Sequence, residues 1–167
     1  GLLFARLFVS GQPLIGDRSS AADGLALQVR YLSLNGAPLD PTRLPQGTDF
    51  LAEVRVRHTS PAYRRLEELA LTQVFPSGWE ILNTRLFGLE GWSAGDRPEY
   101  QDLRDDRVYS YFDLGKRNEE KVFRVQLHAA YEGRFYLPTL RCSAMYDESI
   151  HARVPGQWVE VVAPENL

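Results

Sequence analysis

Gly91-Trp92-Ser93-Ala94-Gly95 fits G-x-S-x-G, the pattern of a serine nucleophile on a strand-to-helix elbow. Such an elbow exposes the serine at a helix N-terminus. Here Asp96-Arg97-Pro98 follows, and the alternating helices of a hydrolase are missing, so the stretch reads as a glycine-rich loop. His58, His128 and His151 are scattered, with no two at metal-ligand spacing. His58 ends a strand pattern and His128 lies on the polar parity of another, so solvated or hydrogen-bonded imidazoles are expected. Cys142 is the sole cysteine and can form neither an internal disulfide nor a thiolate cluster. Beside a histidine it would be a nucleophile, but its parity with Leu140 and Ala144 places it in the core.

Asp102, Asp105 and Asp106 are interleaved with Arg104 and Arg107 and lack the calcium-loop pattern, which predicts a salt-bridged loop. Arg64-Arg65 and Glu67-Glu68 read as a solvated face, and no glycine-rich phosphate loop is present. The residues thus predict no enzyme, no cofactor and no metal. Ala144-Met145-Tyr146-Asp147 stands apart. It closes a strand pattern, so Met145 and Tyr146 are either strand-end core residues or large amphipathic side chains projecting from a rim to cover a neighbouring surface.

The elements that position these residues are strands. Ala52, Val54 and Val56 alternate with Glu53, Arg55 and Arg57, the signature of a half-buried strand. Phe123, Val125, Leu127 and Ala129 repeat the pattern, as do Leu25, Leu27, Val29 and Tyr31. There the phase slips to Leu32 and Leu34, which predicts a bulge near Tyr31. Phe135 and Leu137 begin a strand that Pro138 bends before Leu140, Cys142 and Ala144. Residues 108–114 and 158–162 complete the set. Residues 60–75 fit either a helix, with Tyr63, Leu66 and Leu69-Ala70 at helical spacing, or a strand alternating through Leu69, Leu71, Gln73 and Phe75; the strand is preferred. Turns are expected at Asn35-Gly36-Ala37-Pro38, Pro76-Ser77-Gly78, Tyr131-Glu132-Gly133 and Pro155-Gly156. Residues 17–24 and 40–48 read as loops, and 88–106 as irregular chain with one short helical turn. Eight to ten short strands with few helix signals imply an all-β, two-sheet antiparallel β-sandwich.

Composition bounds the partners. The 167 residues are 44% hydrophobic and 25% charged, enough for one packed domain without a staple. Nineteen Lys and Arg against 22 Asp and Glu argue against nucleic-acid binding. The apolar opening, residues 2–15, is broken by Arg6, Gln12 and Pro13, well short of the ~18 apolar residues of a membrane span. Residue 1 is Gly and the only Met is Met145, so the chain is expected to be processed or a piece of a longer one.

Several stretches together resemble the C-terminal macroglobulin-like domain of bacterial alpha-2-macroglobulins. They are Pro76-Ser77-Gly78-Trp79-Glu80-Ile81, Tyr100-Gln101-Asp102-Leu103-Arg104-Asp105-Asp106-Arg107-Val108, Gly133-Arg134-Phe135-Tyr136-Leu137-Pro138, Ala144-Met145-Tyr146 and Gln157-Trp158-Val159-Glu160-Val161. The resemblance covers residues 25–162; residues 1–20 read as a strand of the same domain or the tail of a preceding one. Ser77-Gly78-Trp79 and residues 108–113 also carry a fainter similarity to the receptor-binding domain of animal alpha-2-macroglobulins and complement proteins.

The resemblance implies a macroglobulin-like domain within a large periplasmic protein anchored to the inner membrane as a lipoprotein. That parent traps proteases after they cut a bait region. Its implied partners are other domains of the parent chain, trapped proteases, and a peptidoglycan-synthesising penicillin-binding protein. In thioester-bearing members the C-terminal domain shields the thioester of a neighbouring domain, and the matching contact residues here are Met145 and Tyr146. This chain has no C-x-E-Q motif of its own, and some members lack the thioester. The alternative is an adhesive or cell-wall-associated β-sandwich scaffold module.

Overall fold

A computed structural model describes residues 3, 4, 6, 8, 10, 19–63, 65–82 and 95–164. Among these there are thirteen strands and no helix. They are β1 (Ala21–Asp23), β2 (Leu25–Ser33), β3 (Arg43–Pro45), β4 (Asp49–His58), β5 (Leu66–Val74), β6 (Trp79–Leu82), β7 (Tyr100–Leu103), β8 (Arg107–Leu114), β9 (Glu120–Ala129), β10 (Gly133–Leu137), β11 (Leu140–Ala144), β12 (His151–Val154) and β13 (Gln157–Val162). One layer is a four-stranded sheet in the order β2-β4-β9-β6. The other is split into a six-stranded sheet, β1-β12-β11-β5-β8-β7, and a three-stranded sheet, β10-β13-β3.

Alternation dictates the packing. Phe50, Ala52 and Val54 of β4 stand opposite Leu127, Val125 and Phe123 of β9, so all six share one face. The split in the second layer divides the core in two. Val54, Val56 and Phe123 share a cluster with Leu69, Leu71, Phe112, Cys142 and Ala152 of the six-stranded sheet. Phe50, Ala52 and Leu127 share another with Leu44, Val159 and Val161 of the three-stranded sheet. The chain passes between the two sheets at Pro138-Thr139 and again at Pro155-Gly156. Proline fits there because neither ladder continues through it.

The sandwich and the strand over residues 66–74 match expectation; several details differ. The β2–β4 register runs unbroken from Leu25 opposite His58 to Ser33 opposite Phe50, so there is no bulge at Tyr31. Leu32 changes parity without one because the following turn folds back: Pro38 bridges Leu32, which is 7% exposed, while Leu34 stays exposed. The bulge is in β5 instead, where pairing with β8 shifts between Leu66 and Leu69 and Glu68 takes a φ of 53°. Three expected loop regions contain strands. β1 pairs with β12, β7 with β8, and β3 pairs in parallel with β13, the one exception to antiparallel order among the described strands. All three are three or four residues long, too short to show alternation. Pro138 does not bend one strand; it separates β10 and β11, which belong to different sheets.

Candidate functional site

The strand-end motif lies in the turn that joins β11 to β12. Ala144 N–H donates to Ile150 O at 3.0 Å and Ile150 N–H to Asp147 O at 3.1 Å, closing the turn. Asp147 stiffens it from within. Its Oδ1 accepts from Ser149 N–H at 3.0 Å and Ser149 Oγ–H at 2.6 Å, an Asx-turn. Its Oδ2 accepts from Tyr63 Oη–H at 2.9 Å. The Ser149 and Tyr63 hydrogen bonds hold the Asp147 carboxyl below the usual carboxylate range. The same carboxylate raises the pKa of Tyr63.

The β5 bulge anchors the other side of the turn. Glu68 O accepts from Met145 N–H at 2.9 Å. Glu68 N–H donates to Asp113 Oδ1 at 2.9 Å, and Arg65 pairs with Asp113 Oδ2 at 2.6 Å. Gly24 completes the rim: Thr59 and Ser60 N–H both donate to its carbonyl. A Cβ there would lie 2.5 Å from Ile150 Cδ1, and φ is +70°, so only glycine fits. On this frame Met145 is 50% exposed and Tyr146 85% exposed. They are not core residues; both are exposed at the rim, in the turn whose Asp147 accepts from Tyr63.

The other candidates do not assemble into a catalytic site. His128 Nδ1 lies 2.6 Å from Asp49 Oδ1 and His151 Nδ1 lies 3.0 Å from Glu148 O, both hydrogen-bonded as expected. His58 differs. It continues the inward parity of Val54 and Val56, is fully buried, and neither ring nitrogen has a partner. The sheet extends past β9 there, with His58 N–H donating to Glu119 O, so His58 is not the solvated strand end its position suggested. Cys142 is fully buried, and burial pushes its thiol up to about 12. Arg104 pairs with Asp102 and Arg107 with Asp106, the expected salt-bridged loop. Among the described residues no cluster of three His, Cys, Asp or Glu is arranged to hold a metal. Ser93 and Arg64 lie outside the described residues.

The sequence reading missed Glu53. Its polar parity is right, yet it is 1% exposed, beneath Arg30, Arg55 and Arg124. Burial alone would raise its carboxyl, but hydrogen bonds from Arg30, Arg124 and Arg55 overcome this and bring it to about 2. No sequence pattern marked it: Arg30, Glu53 and Arg124 come into one cross-strand row only through the β2–β4–β9 register.

The family model matching residues 24–149 is the bacterial alpha-2-macroglobulin MG10 domain. The chain belongs to that family. It is 26% identical to an alpha-2-macroglobulin homolog of Yersinia pestis over 93% of this chain, and 24% identical to an alpha-2-macroglobulin of Rickettsia conorii over 90%. It spans only 9% and 8% of those proteins. The structure of Salmonella alpha-2-macroglobulin reacted with methylamine superimposes with a TM-score of 0.73 at 18% identity, over 87% of this chain and 10% of that one. Native Escherichia coli alpha-2-macroglobulin, from domain MG7 to the C-terminus, gives 0.72 at 16% identity over 85% of this chain and 24% of that one. These likenesses show that the MG10 chain shares their fold.

Proposed function

We propose that this MG10 domain is a non-catalytic C-terminal domain of a protease-trapping inhibitor of the bacterial periplasm, its parent anchored to the inner membrane as a lipoprotein. Its role is to cover the thioester of a neighbouring domain through Met145 and Tyr146. A thioester persists in water only where water and amines are kept out. A large ring on a stiff turn does this well, because it seals a surface at little cost in conformational entropy. The observation that carries the reading is Tyr146 at 85% exposure on a turn fixed by Asp147 and by the Met145–Glu68 hydrogen bond. Proteases engage the domain only through the trap as a whole.

The test is methylamine consumption by the full-length parent before any proteolytic cut. Tyr146→Ala should be consumed faster than wild type. Tyr131→Ala, which removes an exposed ring from the β9–β10 turn, should match wild type. Equal rates in all three remove Tyr146 from the shield. A parent without C-x-E-Q removes the shielding role itself, and one without a bait region favours a scaffold module.

A further inference from the structure

β5 points Leu69, Leu71 and Gln73 into the sandwich on one parity, and Phe75 follows them. Leu69 and Leu71 belong to one core cluster and Phe75 to the other. Gln73 therefore stands at the seam between the two, in the layer that is divided into two sheets. It is 2% exposed, and neither its Nε2 nor its Oε1 has a hydrogen-bond partner among the described residues. A buried carboxamide has given up the hydration it had in the unfolded chain, so it calls for a partner that both donates and accepts.

The space beside it sets the size of that partner. Gln73 lines a cavity of about 20 Å³ with Val29, Val54, Leu137, Pro138 and Leu140 among its other walls. One water needs roughly 10–15 Å³, so a single water fits and a peptide group or a sugar does not. A water lying against the carboxamide accepts from Nε2–H and donates to Oε1, which leaves its second hydrogen for another acceptor. Pro138 offers one. It lies between β10 and β11 and belongs to neither sheet, so its carbonyl stands outside both ladders. Three hydrogen bonds are about what an internal water makes.

We infer that one internal water occupies this cavity, held by the Gln73 carboxamide and the Pro138 carbonyl, and that it ties β5 to the crossover where the chain leaves the three-stranded sheet for the six-stranded one. This accounts for a glutamine at an inward position between Leu71 and Phe75. A carbonyl that has left its ladder needs a donor, and an aliphatic side chain at position 73 supplies none, either directly or through water. The site is independent of the Met145–Tyr146 turn and of the function proposed for it.

A crystal structure at a resolution that shows ordered water is the first test. It should contain one water peak within hydrogen-bond distance of both the Gln73 carboxamide and Pro138 O. In solution, the methyl protons of Val54 and Leu140, which line the cavity, should give NOEs to a long-lived water. Gln73→Met keeps the length of the side chain and removes both polar atoms, so the water peak and the NOEs should be lost together. The inference is overturned by a cavity without density beside Gln73, or by density for a molecule larger than water. A direct hydrogen bond between the carboxamide and the main chain would also overturn it, as would NOEs that persist in Gln73→Met, since that water would be held without Gln73.

Discussion

The hydroxyl of Tyr63 donates to Asp147 Oδ2 at 2.9 Å, between residues 84 positions apart in the chain, tying the β4–β5 connection to the β11–β12 turn. Both side chains lie at the surface, so the bond contributes little to global stability. Its effect is local, holding the turn that presents Tyr146. Tyr63→Phe keeps the ring and removes only the hydroxyl. NMR order parameters of residues 145–149 should fall while Tm is unchanged. Unaltered order parameters would show that the Ser149 hydrogen bonds fix the turn alone.

Glu53 makes the fold acid-sensitive in a defined window. Its folded pKa of about 2 lies below its ordinary 4.5. The stabilisation from its ionised form is therefore complete above the unfolded value and is lost as pH falls from 4.5 toward 2. Glu53→Gln should cost about 2 kcal/mol at pH 7, less than a deeply buried pair because the arginines are partly solvated. Urea titrations should show a flatter fall in stability between pH 4.5 and 2 for the variant than for wild type. Parallel curves for the two proteins would mean that other carboxylates carry the acid response.

The long strands were legible because most carry four or more alternating positions; β4 and β9 bury their apolar parity as read. β1, β3 and β7 were not, since three or four residues in an edge strand are held by ladder bonds with distant chain rather than by their own pattern. His58 and Glu53 show a second limit. Parity gives a side chain's direction, but burial depends on what lies over it: apolar sandwich interior in one case, three arginines in the other. At the rim, Asp147-x-Ser149 was a readable Asx signal, whereas its bond to Tyr63 depends on tertiary structure.

Cys142 stands opposite Leu71 on one side and Ala152 on the other, in the middle of the six-stranded sheet. Its thiol is inaccessible, and burial keeps it protonated at neutral pH. Ellman's reagent at pH 8 should release about one thiol per chain in urea and none in the native protein over the same time. Prompt native labelling would require the β5–β11–β12 region to open.

Glu68 is the strained point of the rim. Its φ of 53° is left-handed, which costs an ordinary L residue roughly 1 kcal/mol, while its N–H and C=O bind Asp113 and Met145. Glu68→Gly removes the Cβ penalty but adds backbone entropy to the unfolded chain. Stability should therefore stay level or rise by up to about 1 kcal/mol. Glu68→Val places a β-branched side chain where it fits worst, so stability should fall by about 1–2 kcal/mol. If the chain escapes that cost by shifting the bulge, the acceptor for Met145 N–H goes with it. Urea titration reads the first outcome and amide exchange at Met145 the second. Exchange there should be slow in wild type and Glu68→Gly and fast in Glu68→Val. Equal stability and equal protection in Gly and Val variants would show that the bulge is neither strained nor the anchor of the turn that carries Tyr146.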